Sequence, residues 1–164
     1  MRSIAYSLLA LSLISGCSST TAFDFFKMDE DHERAMTSLH TTSIVRSFET
    51  EAMITTIYLN HVYPDKYNDR EYFFAALYMK DDKRLYYKDA LQDPEYTLKL
   101  NGINPCHIEA LPKDSQLRRL MPIKNEWNRY YLIKYPLQQE KVLTLVLEND
   151  RSLTASINYE KDDE

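Results

Sequence analysis

Hydrophobic residues are distributed along this chain in three successive patterns. A mainly apolar stretch covers Ile4–Ile14. Residues 24–40 then show helical spacing, with residues such as Phe25 and Met28 on one face, which predicts an N-terminal helix. From Thr41 onward the period changes to two, which is typical of half-buried strands. The main body of the chain, residues 41–160, is therefore predicted to be a β domain.

Short alternating segments separated by turn residues continue to the C-terminus. The predicted strands are Thr42–Glu49, Glu51–Tyr63, Glu71–Met79, Tyr96–Leu100, Trp127–Tyr135, Lys141–Glu148 and Ser152–Tyr159. Two further segments have a less regular pattern: Leu85–Lys88, a short strand or edge, and Leu117–Ile123, a weak strand. Apolar residues on both faces of Glu51–Tyr63 indicate a central strand. Proline at both ends of the Cys106 segment excludes a regular central strand there. Asn101-Gly102 and Asn149-Asp150-Arg151 are predicted turns, the second within a terminal hairpin.

These elements predict a mainly β fold. Strands at short intervals without interleaved helices favour an antiparallel β-sandwich of seven to eight strands, preceded by the short helix. The alternative is an α+β fold in which the N-terminal helix packs across one curved antiparallel sheet. The lone tryptophan, Trp127, and the tyrosine-rich late strand fit an immunoglobulin-like core, although the chain has no Cys…Trp…Cys pattern.

The first apolar run has the layout of a secretory signal peptide. Arg2 precedes it, small residues follow it, and it is too short to cross a bilayer. Ile14-Ser15-Gly16-Cys17 resembles the lipobox of bacterial lipoproteins. That resemblance implies cleavage after residue 16 and a fatty-acylated Cys17 as the membrane anchor. In Gram-negative families, a residue such as Ser18 after the cysteine implies export to the outer membrane. The alternative is an ordinary signal peptide with a chance cysteine.

The resulting organisation is a signal peptide at 1–16, a lipid-anchored tether at 17–23, the helix at 24–40, the β domain at 41–160 and a disordered acidic tail at 161–164. With its lipobox, its tether, Tyr58-Leu59-Asn60 near the end of the second strand and its terminal hairpin, the chain resembles small immunoglobulin-like lipoproteins of Gram-negative bacteria.

Charge and glycine content exclude several functions. Cleavage removes Arg2 and no acidic residue, so 148 mature residues carry 19 basic and 25 acidic side chains, a net charge of −6. A mildly acidic chain argues against nucleic acid as the partner and against charge-driven binding to anionic lipid. After cleavage Gly102 is the only glycine, which excludes phosphate-cradling glycine-rich loops and nucleophile elbows. No cofactor is expected.

Residues that carry chemistry are scattered. Cys106 is expected to be a buried small hydrophobe; the alternatives are a reactive thiol or an intermolecular bridge. Another alternative is a hydrolase in which His107 activates the Cys106 thiol, but adjacent strand residues point to opposite faces, which argues against this pair. The other candidate groups are Ser115 after Asp114, the carboxylates of Asp81 and Asp82, and the histidines His32, His40 and His61. None has a metal-ligand or nucleophile signature, and no metal site is predicted.

Aromatic residues are the strongest candidates for recognition. Tyrosine doublets in strands place one ring on each face, so some rings are expected to face a partner. The predicted interaction face comprises Tyr86, Tyr87, Trp127, Tyr130 and Tyr131. The competing interpretation is that these tyrosines simply build the sheet.

The sequence therefore predicts a non-catalytic binding module, anchored in the cell envelope, whose partner is an envelope protein reached through a strand edge or the tyrosine face. The alternatives are an accessory assembly factor that uses its helix, and a binder of a small ligand or carbohydrate in a concave aromatic pocket.

Overall fold

The computed structural model describes residues 30–80 and 96–161. In these two ranges it contains one regular helix, eight strands and two short helical turns. In chain order they are α1 Glu30–Thr37, β1 Leu39–Arg46, β2 Glu49–Tyr58, α2 Leu59–Val62, β3 Glu71–Met79, β4 Tyr96–Leu100, β5 His107–Ala110, a 3₁₀ helix Gln116–Leu120, β6 Arg129–Tyr135, β7 Val142–Asn149 and β8 Thr154–Glu160.

The strands form two antiparallel sheets. The larger sheet has the order β1-β2-β3-β6-β5, and the smaller has the order β4-β7-β8. If β2 to β8 are read as strands A to G, the sheets are ABED and CFG, which is the arrangement of an immunoglobulin constant domain. Strand β1 is an addition that extends the first sheet beyond strand A. The predicted mainly β, immunoglobulin-like sandwich with a short N-terminal helix is confirmed.

The main core lies between the two sheets. Buried residues of seven strands, all but β5, meet there, mostly at alternate positions because side chains on a strand point to opposite faces in turn. The most deeply buried members are Ile54, Phe73, Ala75, Leu77, Leu100, Tyr131, Ile133, Tyr135, Leu143, Leu145 and Leu147. The continuous chain of contacts across both sheets makes the sandwich one cooperative unit.

A second core covers the outer face of the five-stranded sheet. Ala35 of α1 and Leu120 and Met121 of the 3₁₀ segment pack over that face. The sheet residues beneath them include Ile57, Phe74, Ala76, Tyr130 and Leu132. Burial on both faces explains why β2 and β3 are apolar at successive positions, and it confirms the prediction of a central strand.

Two predicted turns are confirmed. Asn101 and Gly102 both have positive φ (47° and 79°) between Leu100 and its bridge partner Ile103, which is the backbone that Asn-Gly favours. In the β7–β8 hairpin, the Asn149 side-chain oxygen accepts hydrogen bonds from the backbone N–H groups of Arg151 (3.0 Å) and Leu153 (2.9 Å).

Several predicted boundaries are corrected. The helix ends at Thr37 and β1 begins at Leu39, where the chain starts to pair with Ile57 of β2. The strand predicted over Glu51–Tyr63 ends at Tyr58 and continues as the single turn α2.

The strand predicted over Leu117–Ile123 is instead the 3₁₀ helix Gln116–Leu120. Leu117 and Leu120 are three residues apart, so one 3₁₀ turn places both on the side that faces the sheet. The predicted strand Leu85–Lys88 lies outside the described residues.

The C-terminal end of the domain is fixed by an ion pair. Glu71 is buried, and its carboxylate accepts hydrogen bonds from the Tyr58 hydroxyl (2.6 Å) and the Gln138 backbone N–H (2.8 Å). Lys161 Nζ lies 2.6 Å from Glu71 Oε1. Lys161, predicted to begin the disordered tail, is therefore part of the ordered domain. No helix within the described residues is both long enough and apolar enough to cross a bilayer.

Candidate functional site

The tyrosine doublet of β6 is buried on both of its faces. Tyr131 points into the core between the sheets, whereas Tyr130 lies beneath the outer helical layer. Tyr130 stacks on Phe74 (ring centroids 6.1 Å apart), and the Arg118 guanidinium lies 4.1 Å from its ring centroid. The prediction that Tyr130 and Tyr131 belong to an exposed face is therefore corrected. A second layer covers each face of the sheet, and the Phe73-Phe74 pair is buried for the same reason.

Trp127 lies outside both cores. Its side chain is 75% exposed in the loop before β6, so the expectation that the lone tryptophan fills an immunoglobulin-like core is wrong. Trp127 precedes the first residue of β6, and the core-facing positions of that strand are occupied by Tyr131, Ile133 and Tyr135. The other predicted site residues, Cys17, Tyr86 and Tyr87, lie outside the described residues, as do Asp81 and Asp82.

Cys106 is exposed, which corrects the prediction of a buried small hydrophobe. Its thiol donates to the Lys134 backbone carbonyl (3.2 Å), and the Arg70 guanidinium donates to its sulfur (3.5 Å). Its contacts within the described part of the chain therefore do not include the ring of His107, the partner that a Cys–His hydrolase requires.

The histidines lie on different elements. His32 belongs to α1 and His40 to β1, so the two do not share a helical face. The His40 ring packs edge-on against Tyr159, with the ring centroids 4.8 Å apart. The His61 ring packs edge-on against Tyr58, with the centroids 4.6 Å apart. Among residues 30–80 and 96–161, no three His, Cys, Asp or Glu side chains are grouped as metal ligands.

The most unusual surface feature is the two-residue turn between β1 and β2. Arg46 pairs with Glu49, so Ser47 and Phe48 form the turn. Both have positive φ, 51° and 66°, as in the type I′ hairpins that favour Asn-Gly. The Phe48 ring is fully exposed. No glycine, asparagine or proline marks this turn, so the sequence pattern predicts a strand through Phe48, and the structure corrects that prediction.

A cleft of about 490 Å³ opens beside this turn. Residues at the ends of several strands line it, because β2 and β8 begin here and β3 and β7 end here. Its lining residues are Arg46, Ser47, Glu49, Glu51, Met79, Lys80, Tyr96, Asn149, Asp150 and Arg151. We call the turn and this cleft together the Phe48 end.

Five of the six charged residues of the Phe48 end form ion pairs within the described part of the chain, Asp150 being the exception. The Glu51 side chain, only 15% exposed, forms ion pairs with Arg46 and with Arg151, the latter at 3.7 Å. Glu49 forms an ion pair with Lys80, and the hydrogen bond from Lys80 lowers the pKa of Glu49 below its ordinary value of 4.5. These pairs present both signs of charge around one exposed aromatic ring, an arrangement suited to non-covalent recognition of a surface with apolar and charged groups.

The fold and this surface together define a β-sandwich with an exposed aromatic residue and a cleft lined by charges of both signs at one end. Comparisons with protein-family models, with curated proteins and with solved structures find no match to the chain.

Proposed function

We propose that this protein is a cell-envelope lipoprotein that acts as a non-catalytic binding module for an envelope protein. The acylated Cys17 would anchor it to a membrane. Ser18 after the cysteine favours the outer membrane of a Gram-negative cell. The Phe48 end would contact the partner. The observation that carries the binding role is the full exposure of Phe48 in a left-handed turn.

Two unfavourable features coincide at Phe48. A bulky residue with φ near 66° is strained relative to glycine, and its ring exposes apolar surface to water. Neither feature contributes to the stability of the fold. Strained residues cluster at binding sites, and aromatic residues dominate the binding energy of protein interfaces. A contact with a partner gives both features a reason.

The shape and charge of the cleft favour a protein partner over a small ligand. Small-ligand pockets are enclosed and mainly apolar, with a few polar groups. Here the cleft is bordered by the ion pairs of Glu51 and Glu49, which can exchange partners with charges on an opposing protein surface. The rival contact surface is the helix α1. Its buried residue Ala35 packs onto the sheet, so this face of the helix is already covered within the domain.

A photoreactive phenylalanine analogue at position 48 tests the proposal in intact cells. We expect ultraviolet light to yield one adduct of defined mass that contains a protein. The matched control places the same analogue at Ser156, an exposed position of β8 on the smaller sheet. Adducts that are identical at positions 48 and 156, or that contain only lipid or peptidoglycan, would contradict a protein partner at the Phe48 end.

A further inference from the structure

Two large apolar side chains protrude from the loop 122–128. Ile123 is 73% exposed and Trp127 is 75% exposed. The loop is held in place: the Asn128 N–H donates to the Asn125 side-chain oxygen (2.8 Å), and the Asn125 N–H donates to the buried Tyr130 hydroxyl (3.4 Å). The two side chains are thus presented outward from a fixed loop, which we call the Trp127 loop.

Basic residues are concentrated in the sequence on both sides of the Trp127 loop. Residues 117–129 contain Arg118, Arg119, Lys124 and Arg129 but a single acidic residue, Glu126, a net charge of +3. The remaining 16 basic and 24 acidic residues of the chain give −8. Charge is therefore unevenly distributed along the chain, and the overall acidity conceals a basic segment that contains two exposed apolar residues. The Phe48 end differs, because charges of both signs are paired there.

A basic segment with an exposed tryptophan matches an anionic membrane. The indole ring is favoured at the membrane–water interface, where its apolar body and its N–H group are both accommodated. Lysine and arginine near the surface of an anionic leaflet each add favourable electrostatic energy. A surface that binds another protein would instead be expected to present both signs of charge, as the Phe48 end does.

The length of the chain before the domain allows this contact. Twelve residues lie between Cys17 and Glu30, the first described residue, and the thirteen Cα–Cα steps from one to the other can span up to about 45 Å when extended. The nine residues of β3 measure only about 30 Å along the sandwich. A domain tethered at Cys17 can therefore turn the Trp127 loop toward its own membrane.

We propose that the Trp127 loop docks the domain onto the anionic phospholipid surface of the membrane that holds its anchor. Ile123 and Trp127 enter the interface, and Lys124 of the same loop faces the headgroups. This inference rests on the proposed lipid anchor, and it adds an orientation: the domain lies against the bilayer rather than moving freely on its tether.

Trp127 is the only tryptophan of the chain and therefore reports on its own surroundings. The lipidated protein would be reconstituted into phosphatidylcholine vesicles with and without phosphatidylglycerol, and fatty-acid labelling would be measured on the same preparation. With phosphatidylglycerol present, we expect the emission of Trp127 to shift to shorter wavelength and to be quenched by brominated phospholipid.

Three variants locate the contact while retaining the tryptophan. Lys124→Glu should lower the ratio of docked to undocked protein by at least about fivefold, the effect of one basic charge near an anionic surface. Ile123→Ser should also lower it. The matched control Lys141→Glu reverses an exposed lysine before β7 and should leave the ratio unchanged.

The outcomes separate docking from anchoring. A labelled protein whose Trp127 keeps a water-like emission in anionic vesicles overturns docking and leaves the anchor standing. An unlabelled protein whose Trp127 is quenched by anionic vesicles supports docking and overturns the anchor. Equal quenching with and without phosphatidylglycerol overturns the assignment to anionic lipid.

Discussion

At the scale of single residues, Phe48 combines a backbone that glycine prefers with an exposure that polar residues prefer. Its neighbour Ser47 shares the left-handed backbone but carries a small polar side chain. The two residues therefore separate strain from recognition, because only one of them offers apolar surface. This allows the cost of the turn and the use of the ring to be measured independently.

Phe48→Gly is expected to stabilise the fold by about 1 kcal/mol, because glycine adopts positive φ without the steric penalty of a side chain. The same change should abolish the adduct-forming partner interaction. Ser47→Gly is the matched control, with a similar gain in stability and retained binding. Urea unfolding and co-purification of the partner measure the two properties. If Phe48→Gly destabilises the domain, the ring has a structural role and the argument for recognition fails.

At the scale of elements, Glu71 joins parts of the molecule that are distant in sequence. It is the first residue of β3, and it contacts the end of β2 through Tyr58, the segment after β6 through Gln138, and the end of β8 through Lys161. A buried carboxylate persists only when it is paired and hydrogen-bonded. The ion pair therefore fastens the last strand of one sheet to the other sheet.

Lys161→Met is expected to lower the free energy of unfolding by about 3–5 kcal/mol, because it leaves the Glu71 carboxylate buried without a counter-charge. Urea denaturation measures this loss. Lys113→Met, an exposed lysine of the outer layer, should have an effect near zero. Adding Glu71→Gln to Lys161→Met should recover part of the stability, since a neutral amide replaces the unpaired charge. If Lys161→Met alone is as stable as the parent, the ion pair does not fasten the sheets.

At the scale of the whole molecule, the proposals place two different surfaces at one end of the sandwich. The Phe48 turn precedes β2 and the Trp127 loop precedes β6, and β2 and β6 run in the same direction on either side of β3. A docked domain would then hold the Phe48 end near the bilayer. The envelope partner it reaches would be expected to lie at or close to the membrane surface.

The anchor that this arrangement requires is tested by Cys17→Ser. Without the thiol no diacylglycerol can be attached, so we expect a precursor that keeps residues 1–16 and takes up no labelled fatty acid. Cys106→Ser is the matched control, and it should be processed and labelled like the parent. Electrophoretic mobility and fatty-acid labelling report the two steps. Normal labelling of Cys17→Ser would rule out the lipobox interpretation.

The sequence by itself determined the fold class and most of the strands. Alternation with a period of two depends on local geometry, and the Asn-Gly and Asn149 turns carry their own chemical signals, so strands such as β6, β7 and β8 could be predicted. The apolar residues on both faces of β2 also predict a central strand. These features are set by neighbours in the chain.

Only the tertiary structure decided which aromatic residues are exposed. The sequence pattern of Tyr130 and Tyr131 is also that of a pair with one exposed ring. In the structure the 3₁₀ segment covers Tyr130 and the smaller sheet covers Tyr131. Trp127 and Phe48 are exposed because the loop and the turn that carry them leave the sheet before any layer covers them. Burial depends on contacts between distant segments, which alternation along one segment cannot reveal.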